Sequence, residues 1–163
     1  RLLSDPSNTE EVARAYLLLG CEAEKRLDWD DAVENYLQVL NLNPGRTHVR
    51  YFGNNNLGYS LLLLGRFEEA EPYCRAAITI DEDRHNAHKN LGLVHEALGR
   101  PVDAAACFIA ATFRNGRDTR AWLHLQKLLT KHPELLAQEP ELAEDMAVLR
   151  QRYENDGGVP ALH

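Results

Sequence analysis

The dipeptide Leu-Gly occurs at Leu19-Gly20, Leu57-Gly58 and Leu91-Gly92, and a degenerate fourth copy follows at Leu125-Gln126. The spacings are 38, 34 and 34 residues, and a period of this length restricts the chain to an array of small units stacked on one another. Each pair lies in an apolar segment with helical periodicity. Twelve residues beyond each of the three glycines stands an alanine, Ala32, Ala70 or Ala104. Four further on lie Tyr36, Cys74 and Phe108, and three beyond those lie Val39, Ala77 and Ala111. An offset of four and then three marks one face of a second helix. Between the two helices of each unit stand "RLDWDDA", "LGRFEEA" and "LGRPVDA". Gly65 and Gly99 are placed to end a helix in the left-handed conformation, and Pro101 suits the first turn of the next one. The unit is helix, tight turn, helix.

With these positions the sequence resembles the tetratricopeptide repeat family. The matching residues are Tyr16, Leu19, Gly20, Ala23, Ala32, Tyr36 and Pro44 in the first unit, and Leu57, Gly58, Ala70 and Ala77 in the second. Leu91, Gly92, Ala104, Phe108 and Ala111 match in the third, and Trp122 and Leu125 open a fourth. The resemblance implies an all-α, right-handed superhelical helix-turn-helix array of three repeats, a partial fourth and a C-terminal capping helix. Asn54 and His88 stand where the family has a large aromatic residue, Cys74 replaces the second-helix aromatic, and Gln126 replaces glycine. Where paired helices cross, Gly20, Gly58, Gly92 and the alanines at 32, 70 and 104 let the backbones approach.

The boundaries expected from this pattern are a leader over 1–8 and an array over 9–132, with units at about 9–46, 47–84, 85–118 and 119–132. A capping helix over 133–154 then carries Leu142, Met146, Leu149 and Tyr153 at helical spacing, before a flexible tail over 155–163. Ser7 and Glu10 have the spacing of a capping box. The four extra residues ahead of the second unit fall in "NPGRTHVR", which predicts a helix capped by Thr47 that starts one turn early.

That early helix contains "YFGNNNLGYSLLLLG", residues 51–65, whose Asn54, Asn55 and Asn56 are poor helix formers. In the family resemblance, the residue before the Leu of each Leu-Gly pair faces a concave groove, which selects Leu18, Asn56, Asn90 and His124. On this reading Asn56 is a groove residue, Asn55 its neighbour on the same face and Asn54 a packing position. An Asn amide can hold both the C=O and the N–H of an extended peptide without reading its sequence. The alternative is that Asn56 and Asn90 bond each other, water or a neighbouring carbonyl. A groove-facing Asn56 would be dispensable for stability. By the same geometry Leu17, Phe52, Tyr59, Leu62 and Leu63 offer apolar surface, whereas Lys89, Arg120, His124 and Lys127 gather positive charge. Such a patch would attract an acidic segment or a C-terminal carboxylate. Some co-chaperones of the family hold acidic chaperone C-termini with a two-carboxylate clamp. Aligned on the first unit, only Asn56 matches that clamp; shifted by one unit, Asn90 matches and Arg120 keeps a charge, so the full clamp is not expected.

Composition narrows the function further. The 163 residues carry a formal net charge of -7, which argues against nucleic-acid or anionic-membrane binding. Cys21, Cys74 and Cys107 are odd in number and form no C-x-x-C pair, as suits a reduced, cytoplasmic setting. No apolar run approaches the roughly 18 residues of a membrane span, and no basic-plus-apolar signal peptide leads the chain. The first residue is Arg1, so the chain reads as processed or as cut from something longer, whose other parts could hold chemistry. His88 and His95 are seven apart on one helical face, with His85 nearby, but they occupy packing positions and make no metal site. No P-loop, H-E-x-x-H, G-x-S-x-G or EF-hand pattern is present, so neither catalysis nor a cofactor is expected. The reading favoured is a non-catalytic module binding a protein or peptide segment in its groove. A self-assembly scaffold and a chaperone-like holder of an unfolded or secreted partner are the alternatives, and oligomeric state is left open.

Overall fold

A computed structural model describes residues 6–156, with side chains given for 8–153. Among these residues the structure is all-helical: α1 (Pro6–Lys25), α2 (Trp29–Asn41), α3 (Thr47–Leu63), α4 (Phe67–Ile80), α5 (His85–Ala97), α6 (Pro101–Arg114), α7 (Thr119–Lys131), α8 (Leu135–Gln138) and α9 (Pro140–Asp156). The chain divides into two compact units, one ending at Glu82 and the other starting at Asp83.

The three tight turns are built alike. Gly65 and Gly99 adopt φ of 75° and 70°, and Leu27 holds the same place in the first repeat at φ 60°. In each case the following amide donates back to the carbonyl five residues earlier: Asp28 N to Ala23 O, Arg66 N to Leu61 O and Arg100 N to His95 O. This pattern ends a helix by satisfying its last carbonyls, and it needs one left-handed residue. Glycine supplies that conformation without strain; Leu27 does not. Pro101 stands in the first turn of α6.

Close helix contact depends on the repeated glycine. A Cβ on Gly92 would lie 2.6 Å from the Phe108 ring, and one on Gly20 would run into the Tyr36 ring. In the second repeat the place of the aromatic is taken by Cys74, and here the backbones themselves come near. A Cβ on Gly58 would lie 2.6 Å from Cys74 Sγ, 3.2 Å from the Cys74 amide nitrogen and 3.3 Å from the Ala70 carbonyl oxygen. Ala32, Ala70 and Ala104 are fully buried at these crossings.

α3 is 17 residues long against 13 for α5, a difference of four, and it starts that much earlier relative to its Leu-Gly pair. Thr47, however, does not cap it. The N-cap residue is Arg46, without a side-chain cap bond. Glu10 of α1 reaches the loop instead, its Oε2 accepting from Gly45 N at 3.0 Å and Arg46 N at 3.3 Å. The carboxylate expected in a capping box with Ser7 thus holds the entrance to a different helix; the Ser7 side chain lies outside the described residues.

Two expected boundaries move. α1 begins at Pro6, inside the leader read over 1–8, because proline's fixed φ and missing N–H suit the first helical turn; residues 1–5 lie outside the described region. The single helix read over 133–154 is two helices, because Glu139 precedes Pro140 and such a residue avoids the helical region; its ψ is 89°. α9 continues through Asn155 and Asp156, while residues 157–163 of the tail lie outside the described region.

In the second unit, Phe108, Ile109, Trp122, Leu125, Leu128, Leu135, Leu142, Met146 and Leu149 form one buried cluster, with Tyr153 packed against it. Tyr153 Oη donates to Thr112 O at 2.7 Å and Arg152 Nη1 to Phe113 O at 3.2 Å, which ties α9 to the end of α6. The Leu of the repeated pair is 0%, 4% and 0% exposed at 57, 91 and 125, but 53% at Leu19, since no helix among the described residues precedes α1.

Candidate functional site

The first unit joins Asn55 and Asn56 to Tyr36, Glu24 and Cys21 in one hydrogen-bond network. The Tyr36 hydroxyl, carried by α2, donates to Glu24 Oε1 at 2.8 Å and sits 3.5 Å from Cys21 Sγ. From α3, Asn56 Nδ2 donates to Tyr36 Oη at 3.3 Å and points at Cys21 Sγ at 3.8 Å, while Asn56 Oδ1 accepts from Asn55 Nδ2 at 3.0 Å. Both edges of the Asn56 amide are therefore engaged inside the unit. Burial raises the Glu24 carboxyl above its ordinary range, opposed by the hydrogen bond from Tyr36. The Tyr36 phenol is raised strongly, first by burial and then by Cys21 and the Glu24 charge.

The three asparagines divide differently from the sequence reading. Asn55 is the buried one, 6% exposed. Asn54, expected to pack, is half-exposed and spends its amide on its own helix, donating to Arg50 O at 2.9 Å. The reason is the phase of α3: Gly53 falls on the side covered by α2, where a Cβ would lie 3.0 Å from Val39, while Tyr51 and Asn55, one turn apart, lie together on another buried side. Phe52 stacks edge-on against Tyr51 at 5.3 Å and Tyr59 against Trp29 at 6.1 Å. Leu17 and Leu62 are half-buried and Leu63 is exposed.

The second unit places a charged set along α5 and α7. Asp118 is its organiser: as N-cap of α7 its Oδ1 accepts from Arg120 N at 3.1 Å and from Arg120 Nε at 2.8 Å, and its Oδ2 lies 2.8 Å from His85 Nε2, which donates to it. Arg120 Nη2 also donates to Asn86 Oδ1, at 3.4 Å. The hydrogen bonds from Arg120 hold the Asp118 carboxyl far below the usual carboxylate range, against a smaller effect of burial. Lys89 is 8% exposed. Burial lowers its ammonium below the ordinary lysine range and the Arg120 charge lowers it further, with Asp118 opposing.

His124 stacks on Phe108, ring centres 5.5 Å apart and planes 18° from parallel. Burial lowers its imidazole below the ordinary histidine range, Glu96 opposes this, and the Lys89 and Lys127 charges add to it. Lys127 is exposed and Asn90 buried. The charges of Arg120 and Lys89 thus act on each other, and those of Lys89 and Lys127 on His124. Asp118 was not among the residues selected from sequence, although an Asp directly before a helical run is a capping signal. Glu24 was missed too; nothing in the one-dimensional pattern shows that a hydroxyl from another helix reaches it.

No group of three or more His, Cys, Asp or Glu among the described residues is arranged to hold a metal ion. No helix among them is long and apolar enough to cross a membrane.

Comparison with known proteins places this geometry. The family described as "Tetratricopeptide repeat" matches residues 17–87. Human "Tetratricopeptide repeat protein 7B" is 34% identical over 92 residues, which cover 56% of this chain and 10% of that protein. The chain therefore spans about a tenth of the length of this relative. Among solved structures, the Arabidopsis OM64 TPR domain is similar with a TM-score of 0.68 and 28% identity, covering 76% of this chain and 98% of that one. The first TPR of Spaghetti (RPAP3), bound to the HSP90 peptide SRMEEVD, is similar with a TM-score of 0.69 and 18% identity, covering 76% and 95%.

Proposed function

We propose, from the premise that the chain belongs to the tetratricopeptide repeat family, that it is a non-catalytic interaction module whose second unit binds an acidic protein segment. The observation that carries this reading is Lys89: an ammonium group buried to 8% exposure, within charge interaction of Arg120 and on the same unit as His124 and Lys127. Burying an ammonium group near a second cation is unfavourable, and an anionic ligand relieves it. The ligand class is supported by the similar domain solved with an HSP90 peptide ending in Glu-Glu-Val-Asp. Asn56, whose amide is already engaged, contributes to the architecture of the first unit rather than to the peptide backbone. The three cysteines are free thiols, which agrees with a reducing, cytoplasmic setting.

Fluorescence anisotropy with labelled SRMEEVD tests the reading. Saturable binding is expected, weakened by added salt and by Lys127→Glu, and absent for a peptide with lysines in place of its acidic residues. An amidated C-terminus separates recognition of the terminal carboxylate from recognition of the acidic side chains. Equal binding of the lysine-substituted peptide, or no binding of the acidic one, would contradict the proposal.

A second reading, self-assembly, is favoured by Leu18 and Leu19, 67% and 53% exposed on α1. Light scattering after size-exclusion chromatography decides it: a dimer that Leu18→Lys converts to monomer supports this reading, and a wild-type monomer at all concentrations removes it.

A further inference from the structure

We propose that Asn115 is a latent modification site. Its side-chain amide converts to an aspartyl or isoaspartyl carboxylate when the C-terminal end of α9 lets go of the α6–α7 loop, so the conversion makes that release one-way.

Among the asparagines of the chain, only Asn115 is followed by glycine. A following residue with a Cβ shields its own amide nitrogen from the asparagine side chain, and glycine has no Cβ. The pair stands between α6, which ends at Arg114, and α7, which begins at Thr119. Asn115 is half-buried, and its Oδ1 accepts from Arg117 N at 3.2 Å, which polarises the side-chain carbonyl. Among the described residues the Gly116 N–H donates no hydrogen bond.

The chemistry needs only water and a base. Gly116 N gives its proton to hydroxide and attacks Asn115 Cγ; the bond from Cγ to Nδ2 breaks, and the nitrogen leaves as ammonia. Water then adds to either carbonyl of the five-membered imide. One opening restores the main chain with an aspartate at 115, and the other routes the main chain through the side chain as isoaspartate.

The folded loop holds this reaction back. Asn115 has ψ of 87°, which turns the Gly116 nitrogen away from Cβ. Closing the ring therefore requires rotation about the bond from Cα to the carbonyl carbon, and that rotation carries Gly116 with it. Gly116 lies beneath Tyr153, where a Cβ would run into the hydroxyl and the ring. Tyr153 is itself fixed, its Oη donating to Thr112 O at 2.7 Å, and Arg152 Nη1 reaches Phe113 O at 3.2 Å. These two side chains satisfy carbonyls of the last turn of α6, which its own helix leaves unpaired. α9 thus caps α6 and clamps the loop with the same residues.

Release of α9 frees Gly116, and the product opposes return. Isoaspartate lengthens the loop beneath Tyr153. Either product puts a carboxylate at the C-terminal end of α6, where the helix carbonyls already carry partial negative charge. This inference holds whichever ligand the second unit takes.

The test incubates the protein in weakly alkaline buffer and follows the chymotryptic peptide Arg114–Trp122, whose only asparagine is Asn115, by mass spectrometry, with chromatography to separate the isoaspartyl form. A synthetic peptide of the same sequence gives the unguarded rate. Wild type should convert many-fold more slowly than the synthetic peptide, Tyr153→Ala several-fold faster than wild type, and Asn115→Gln hardly at all. Tyr153→Phe and Arg152→Ala, which each remove one tie to α6 and leave the core ring in place, should fall between wild type and Tyr153→Ala; they decide the matter if circular dichroism shows that the alanine variant at 153 is unfolded. Wild type converting as fast as the synthetic peptide, or folded variants of Tyr153 and Arg152 converting no faster than wild type, overturns the inference.

Discussion

The two units use the same helical positions for different purposes. In the first, the inner positions are spent on one another: Tyr36, Glu24, Cys21, Asn55 and Asn56 close a hydrogen-bond network around a buried phenol. In the second, the corresponding region carries Lys89, His124 and Lys127, and the Arg120 side chain bonds the Asp118 carboxylate. A residue type that looks like a ligand-binding group in sequence is thus structural where a neighbouring helix supplies its partner. The difference arises from one position, occupied by Tyr36 in the first repeat and Phe108 in the third. A phenol hydroxyl needs hydrogen-bond partners when buried, and the asparagine and glutamate around it supply them; a phenyl ring makes no such demand and offers its face to His124.

The largest expected effect probes what both units share. Tyr36→Ala and Phe108→Ala should each cost on the order of 3–5 kcal/mol in urea denaturation, since each removes a fully buried ring fitted against a glycine. Cys74→Ala, at the same position in the second repeat, should cost about 1 kcal/mol. Costs of similar size at all three sites would mean that the ring–glycine fit is not what holds the paired helices.

Next in size is Asn56→Ala, which would be neutral for a groove residue. With its bonds to Tyr36 and Asn55 removed, it should lower stability by about 1 kcal/mol. An unchanged denaturation midpoint would return Asn56 to the list of binding residues and erase the contrast between the units.

Leu27 is left-handed and 70% exposed, so glycine there relieves backbone strain and sacrifices little packing. Leu27→Gly should stabilise the protein by about 0.5–1 kcal/mol, whereas Gly65→Ala and Gly99→Ala should destabilise it. Thermal melts of the three variants check the sign at each turn.

The smallest effect concerns acid. Asp118 binds its proton less readily when folded than when unfolded, so the unfolded chain takes up more protons there as pH falls. Its contribution to stability is complete above about pH 4 and lost on acidification below that. The loss of stability below about pH 4 should therefore be shallower in Asp118→Asn than in wild type; identical acid curves would show that the Asp118 cluster does not contribute to folding.

Much of this was legible in the sequence because it depends on period. The 34-residue recurrence located the paired helices, Gly65 and Gly99 marked their turns, and the extra four residues before the second repeat lengthened α3 by one turn. What stayed hidden depends on partners brought from elsewhere in the chain. The glutamate three residues after Ser7 signalled a local cap, yet Glu10 holds the loop at Gly45 and Arg46. Leu19 repeats the pattern of Leu57, but no helix among the described residues precedes α1 to cover it. Helical phase put Asn56 on a shared face, but the engagement of its amide depends on Tyr36, 20 residues away on α2. Lys89, Arg120, His124 and Lys127 were selected from the groove geometry that the resemblance implies, while Asp118 sits one residue before α7, outside the helix faces.

The most direct test of the account is an amide NMR spectrum of the isotope-labelled protein, recorded with and without SRMEEVD. Shifts concentrated at Lys89, His124 and Lys127, with Asn55, Asn56 and Tyr59 unmoved, are the predicted result. Shifts concentrated at Asn55, Asn56 and Tyr59, with the α5 and α7 residues silent, would contradict it.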